Sequence, residues 1–127
     1  EYKLIVESLH GDINLRKLCA LRRIQMRDPY FSMGYDSITD LRHATLDLSG
    51  DDLLRFALQE ETLRYGNKTN KALILAETPR QTALGFILLK KMNRTELDGG
   101  VFSTVPGLLE YLNLSSENVY RKLTALF

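Results

Sequence analysis

Two pairs of polar residues follow stretches that the sequence predicts to be β-strands, and their types suit the binding of a charged ligand. Asp40 and Arg42 come at the end of the run SITDL, and Thr78 and Arg80 come directly after the apolar run KALILAE. In open α/β sheets, ligands gather outside the carboxyl ends of the strands, so the loops after Asp40 and after Glu77 are expected to face one crevice. Arg80, close to a predicted helix start, would add positive charge to an anion site there. The alternatives are an exposed Asp40–Arg42 pair of little energetic value and a Thr78 that only caps its helix.

The sequence predicts neither a metal centre nor a nucleophilic catalytic site. The chain has two histidines, His10 and His43, and neither has a Cys, Asp or Glu at a spacing typical of metal ligands. Cys19, the single cysteine, falls on the apolar side of a predicted helix, where a thiol behaves as a small hydrophobe. The sequence offers no third group to orient a Cys-His pair. We therefore expect no catalytic residue, no metal and no cofactor, and a protein that is not an enzyme.

The composition excludes several classes of protein. A chain of 127 residues suffices for one domain with a single core. With 17 basic and 16 acidic residues, it lacks the electrostatic footprint of a nucleic-acid-binding protein. No window reaches the roughly eighteen apolar residues that a membrane helix requires, and a single cysteine fits a reducing compartment. We expect one domain over residues 1–127, located in the cytoplasm, with neither nucleic acid nor membrane insertion.

The first part of the chain shows a strand pattern followed by a helix pattern. YKLIVESL is rich in strand formers and ends at a predicted turn, His10-Gly11-Asp12. INLRKLCALRRIQM has the apolar spacing of an amphipathic helix, with Asn14 or Asp12 as its cap.

A loop and a second strand-helix pair come next. RDPYFSMGYD is predicted to be a loop because Pro29 disfavours helical geometry before it, and a strand follows around Ser37 to Leu41. Ser49 then caps DDLLRFALQEETLRYG, the clearest helix pattern in the chain, where Asp51 and Asp52 favour the positive helix start.

The second half repeats the alternation. KALILAE is nearly all apolar, as a central strand covered on both faces should be. Thr78 and Pro79 then give a cap and a first-turn proline to a helix whose apolar positions are Gly85, Leu88, Leu89 and Met92. GGVFST is a further strand, and VPGLLEYLNL with SSENVYRKLTALF predicts one or two closing helices, the last capped by Ser115 or Ser116. Alternating strands and helices with short connections predict an α/β fold with a mainly parallel sheet.

The order of several short motifs resembles the SpoIIAA-like proteins, a bacterial group related to STAS domains and, in shape, to Sec14-type lipid-binding domains. The motifs are LIVESLHGDIN, RDPYFSMGYDSITDLRHA, KALILAET and VFSTVPGLLEYL, which together run from Leu4 to Leu112. The resemblance implies a single-domain sandwich with a four- or five-stranded sheet and helices mostly on one side. It also implies a role in binding and regulation.

The resemblance also offers a second interpretation of Ser49. Anti-sigma-factor antagonists of the STAS class have a motif similar to DLxxVxFxDSxG, in which a partner kinase phosphorylates the serine that begins the helix. Asp40 and Leu41 match the start of that motif, and Ser49 falls where the serine would be. Leu48 stands in place of the acid that precedes it, and Gly50 comes one position early. Ser49 is therefore a helix cap on its local sequence and a phosphoacceptor candidate by resemblance.

Two functional hypotheses follow. The first is a non-catalytic, STAS-like regulatory or protein-interaction module of a bacterial cell, with a protein partner and with self-association left open. The second is a carrier or sensor of a small lipophilic or anionic ligand. The lipophilic version rests on the Sec14-like shape and on Phe86, Leu89 and Met92, apolar residues of one predicted helix that ordinary core packing also explains.

Overall fold

Four parallel strands alternate with four helices in the computed structural model, which describes residues 4–29, 35–63, 71–92 and 98–112. The sheet order is β1-β2-β3-β4, and each neighbouring pair is parallel. The elements are β1 (Leu4–Asn14), α1 (Leu15–Met26), β2 (Asp36–Asp47), α2 (Gly50–Leu63), β3 (Ala72–Leu75), α3 (Pro79–Lys91), β4 (Gly99–Phe102) and α4 (Val105–Tyr111). The α/β fold with a parallel sheet is confirmed. The helix predicted over SSENVYRKLTALF lies outside the described residues.

Apolar side chains cover both faces of the sheet, and three of the four helices lie over the same face. One core cluster joins the inward side chains of α1, α2 and α3 to Ile74 of β3. The other joins Leu108 and Leu109 of α4 to Leu73 and Leu75 of the same strand. Alternate residues of β3 thus enter different cores, as expected for the continuous apolar run of a central strand.

The first two strands are longer than the sequence predicts. The turn predicted at His10-Gly11-Asp12 is wrong, because β1 continues to Asn14. Gly11 has a φ of 77°, and the pairing with β2 shifts register between Ser8 and His10. The glycine therefore lies at an irregularity within the strand and does not end it.

The strand predicted around Ser37 to Leu41 continues to Asp47, so the loop predicted after Asp40 is also wrong. Strand β3 ends at Leu75, which pairs with Asp40. The last residues of β2 therefore extend beyond β3, paired with β1 alone among the described strands.

Polar side chains of α1 contact α2 and β1. None of its residues is fully buried, and Cys19, predicted to lie on a buried stripe, is partly exposed. Arg22 Nε lies 2.6 Å from Glu60 Oε1 of α2, and Gln25 donates to Glu7 of β1. Asn14 caps this helix by accepting from the backbone N–H of Lys17, as predicted.

Candidate functional site

The first turn of α3 covers the edge of β2 that extends past β3. Gln81 Nε2 donates to the carbonyl of Ala44 at 3.0 Å and lies 3.5 Å from that of Arg42. Arg80 Nε donates to the carbonyl of Leu46 at 3.0 Å. These carbonyls belong to alternate residues of one strand, which point to the same side. Side chains of α3 therefore take the place of the hydrogen bonds that a longer β3 would make.

Gln81 is buried with both ends of its amide in use. It is 5% exposed, and its Oε1 accepts from the backbone N–H groups of Glu77 and Thr78 at 3.0 and 3.2 Å. The hydroxyl of Thr78 accepts in turn from the backbone N–H of Gln81 at 3.1 Å, which completes a reciprocal capping box. Thr78 is thus a helix cap, one of the two roles that the sequence left open. A glutamine three residues after a threonine cap is a sequence signal that would also have identified Gln81.

Asp40 and Arg42 form a buried pair rather than the exposed pair that the sequence left open. Asp40 is 2% exposed, and Arg42 donates to its two carboxylate oxygens through Nε and Nη2, each at 3.0 Å. The backbone N–H of Arg42 adds a third bond to Oδ1. Burial raises the pKa of Asp40, but the bonds from Arg42 outweigh it, so this pKa lies below its usual value. The same carboxylate raises the pKa of the Arg42 guanidinium.

A cleft of about 380 Å³ lies between the extended part of β2 and the start of α3. Three of the four predicted ligand-binding residues line it: Arg42, Thr78 and Arg80. Asp40, the fourth, is not part of the lining and acts by holding Arg42. The remaining lining residues are His43, Ala44, Thr45, Leu46 and Gln81. The sequence prediction missed His43 and Thr45 because it ended the strand at Leu41.

The lining of this cleft suits a small anion. Arg42 and Arg80 supply guanidinium groups, Thr45 and Thr78 supply hydroxyls, and none of the described lining residues is acidic. Guanidinium forks match the oxygen pairs of phosphate and carboxylate groups. The arrangement can bind and orient an anion.

A second cavity, between the sheet and helices α1 to α3, bears on the lipophilic hypothesis. Its volume is about 70 Å³, and Leu89 and Met92 are among its lining residues. That is roughly the space of two water molecules, and about half of a cavity that holds benzene. Phe86, the third residue of that hypothesis, is 56% exposed and lies outside the lining. The geometry therefore favours the anionic version.

Ser49 caps α2 through two reciprocal hydrogen bonds. Its Oγ accepts from the backbone N–H of Asp52 at 3.1 Å, and Asp52 Oδ2 accepts from the backbone N–H of Ser49 at 3.0 Å. The residue is exposed, and it lies outside the lining of the cleft. Its role as a phosphoacceptor remains a prediction.

Replacing Ser49 with alanine should lower the free energy of unfolding by about 0.5 to 2 kcal/mol, because the backbone N–H of Asp52 loses its acceptor. Ser49→Asn keeps an acceptor at this position and should be nearly neutral. Urea unfolding followed by circular dichroism measures both. An alanine variant as stable as the parent would show that the bond accepted by Ser49 Oγ contributes nothing.

Within residues 4–29, 35–63, 71–92 and 98–112, no three His, Cys, Asp or Glu side chains are grouped to hold a metal ion. No helix in these ranges is both long and apolar enough to span a bilayer.

No protein-family model, curated protein or solved structure matches the chain. The proposals for its function therefore rest on its own residues and their geometry.

Proposed function

We propose that this protein is a non-catalytic binding domain that holds a small oxyanion in the cleft between β2 and the start of α3. The ligand would carry a phosphate, sulfate or carboxylate group. The observation that supports this function is the meeting of Arg42 and Arg80, from separate elements, in one cleft whose described lining contains no acid.

Both guanidinium groups are held by contacts within the domain. The two bonds to Asp40 fix the plane of Arg42, and the bond to the carbonyl of Leu46 fixes Arg80 at the rim. Side chains that are already ordered lose less conformational entropy when a ligand binds, which favours affinity. The start of α3 lies at the same cleft, and its backbone dipoles favour negative charge.

Arg80→Ala is expected to weaken oxyanion binding at least tenfold, because it removes the exposed guanidinium from the rim. Isothermal titration calorimetry with inorganic phosphate, sulfate and succinate would measure the affinity of the parent and the variant. Arg16→Ala removes an exposed arginine from α1 and is the matched control, with affinity unchanged. Equal affinities for all three proteins, or no binding by the parent, would contradict the proposal.

A second candidate function, the STAS-like protein-interaction module, is favoured by apolar side chains exposed on neighbouring helices. Leu54 and Leu58 of α2 are 41% and 59% exposed, and Ile87 of α3 is 39% exposed. Helices α2 and α3 contact each other and pack against the same core cluster. Exposed apolar patches are typical of protein contact sites.

Leu58→Ser tests this second function. The variant should lose any specific partner that the parent retains from a lysate of the source cell, as identified by mass spectrometry, while its unfolding midpoint stays the same. Lys17→Ala, on the exposed side of α1, is the control that should retain the partner. Equal recovery by all three proteins would count against an interface at Leu58.

A further inference from the structure

The two histidines, which are 33 residues apart in the sequence, meet across the first two strands. His10 of β1 is the register partner of His43 of β2. Their rings are stacked, with centroids 5.1 Å apart and planes within 6° of parallel, and both side chains are exposed. The sequence spacings typical of metal ligands do not reveal this pair, because those spacings concern ligands on one helix or one loop.

We propose that His10 and His43 form a two-histidine site for a divalent transition-metal cation such as Cu²⁺ or Zn²⁺, with water completing the coordination. Imidazole nitrogen is a preferred ligand of these ions. A tetrahedral ion with metal-to-nitrogen bonds of about 2.0–2.1 Å needs two nitrogens roughly 3.4 Å apart. The stacked rings have centroids 5.1 Å apart, so a side-chain rotation is needed to bring one nitrogen of each ring to that separation, and both side chains are exposed and have room for it.

A neighbouring hydroxyl supports this assignment. Ser8 Oγ lies 3.0 Å from His10 Nε2. When Nε2–H donates to this hydroxyl, Nδ1 of His10 is the nitrogen left for a metal, and such a bond orients the ring of a metal ligand. The site does not depend on an anion in the cleft, although His43 also lines that cleft.

Titration of the full chain, freed of any polyhistidine tag, with Cu²⁺ and with Zn²⁺ tests the proposal at about pH 7.5, a fixed pH being needed because metal affinity depends on pH. The parent should bind one equivalent of each ion, with Cu²⁺ held more tightly. His10→Gln and His43→Gln should each weaken binding at least tenfold. Cys19→Ser is the control, because it removes the one thiol and should leave affinity unchanged.

Imidazole ¹⁵N chemical shifts give an independent measurement. The signals of the nitrogens that bind Zn²⁺ must change position during the titration and return when a chelator is added. The thermal midpoints of the metal-free variants should equal that of the parent, because both side chains are exposed. Loss of binding in Cys19→Ser, unchanged affinity in both histidine variants, or no binding by the parent at millimolar metal would overturn the proposal.

Discussion

Replacing Asp40 with alanine is expected to lower the free energy of unfolding by about 3 to 5 kcal/mol, as is typical when one partner of a buried ion pair is removed. The variant loses two bonds to the Arg42 side chain and one to its backbone N–H, and it leaves the Arg42 side chain, which is 19% exposed, without its carboxylate. Urea unfolding followed by fluorescence or circular dichroism measures the difference.

The double variant Asp40→Ala/Arg42→Met is the control for this effect. It removes both charges, so it should be more stable than Asp40→Ala alone. Substitutions on the surface change the free energy of unfolding little. If that of Asp40→Ala lay within about 1 kcal/mol of the parent's, the pair would not be buried as described.

The ion pair of Asp40 and Arg42 should make the stability of the protein depend on pH. Because the pKa of Asp40 is lower in the folded protein than in the unfolded chain, its contribution is present above the unfolded pKa, about 3.9. The contribution is lost as the pH falls through the folded value. Asp40→Asn cannot ionise, so the stability difference between parent and variant should shrink as the pH falls below about 4. A constant difference would contradict the assignment.

Gln81→Leu is the second substitution expected to have a large effect, at about 2 to 4 kcal/mol. It keeps the size and burial of the side chain but removes the donor to Ala44 and the acceptor for the backbone N–H groups of Glu77 and Thr78. The carbonyl of Ala44 is buried, and a buried backbone group left without a partner costs about 1 to 3 kcal/mol, whereas Glu77 and Thr78 are exposed and lose less. Chemical unfolding of the variant measures this loss.

Gln81→Met and Thr82→Ala separate the causes of that loss. Methionine resembles leucine in lacking the amide, so it should be nearly as destabilising, whereas Thr82→Ala changes the neighbouring position of α3 and should cost less. Amide hydrogen exchange should be faster at Glu77 and Thr78 in Gln81→Leu. Protection equal to that of the parent at both amides would contradict the role given to the glutamine.

The α/β alternation could be predicted from sequence because its signals are local. The apolar run KALILAE predicts a covered central strand, and the threonine and proline at 78 and 79 predict the start of α3. The ends of β1 and β2 could not be predicted in the same way. Gly11 is a turn former by local propensity, and only pairing with β2 keeps it within a strand.

Three of the four residues named from the sequence line one cleft, and their role in ligand binding remains a prediction. Arg42 and Arg80 line the same cleft, but Arg42 lies within β2 and not in a loop after it, so the rule for the carboxyl ends of strands does not describe its position. The burial of Asp40 depends on the neighbouring strand β3, and the meeting of His10 with His43 depends on strand register. Both features depend on how distant segments pair. Residue propensity and spacing within one segment give no information about that pairing.

The most direct test of the oxyanion cleft is a titration of the ¹⁵N-labelled full chain with inorganic phosphate, followed through its backbone amide signals. The proposal predicts saturable shifts in residues 42–46 and 78–81, and their loss in Arg80→Ala but not in Arg16→Ala. Shifts confined to other parts of the chain, or equal shifts in parent and Arg80→Ala, would contradict the claim that this cleft binds the anion.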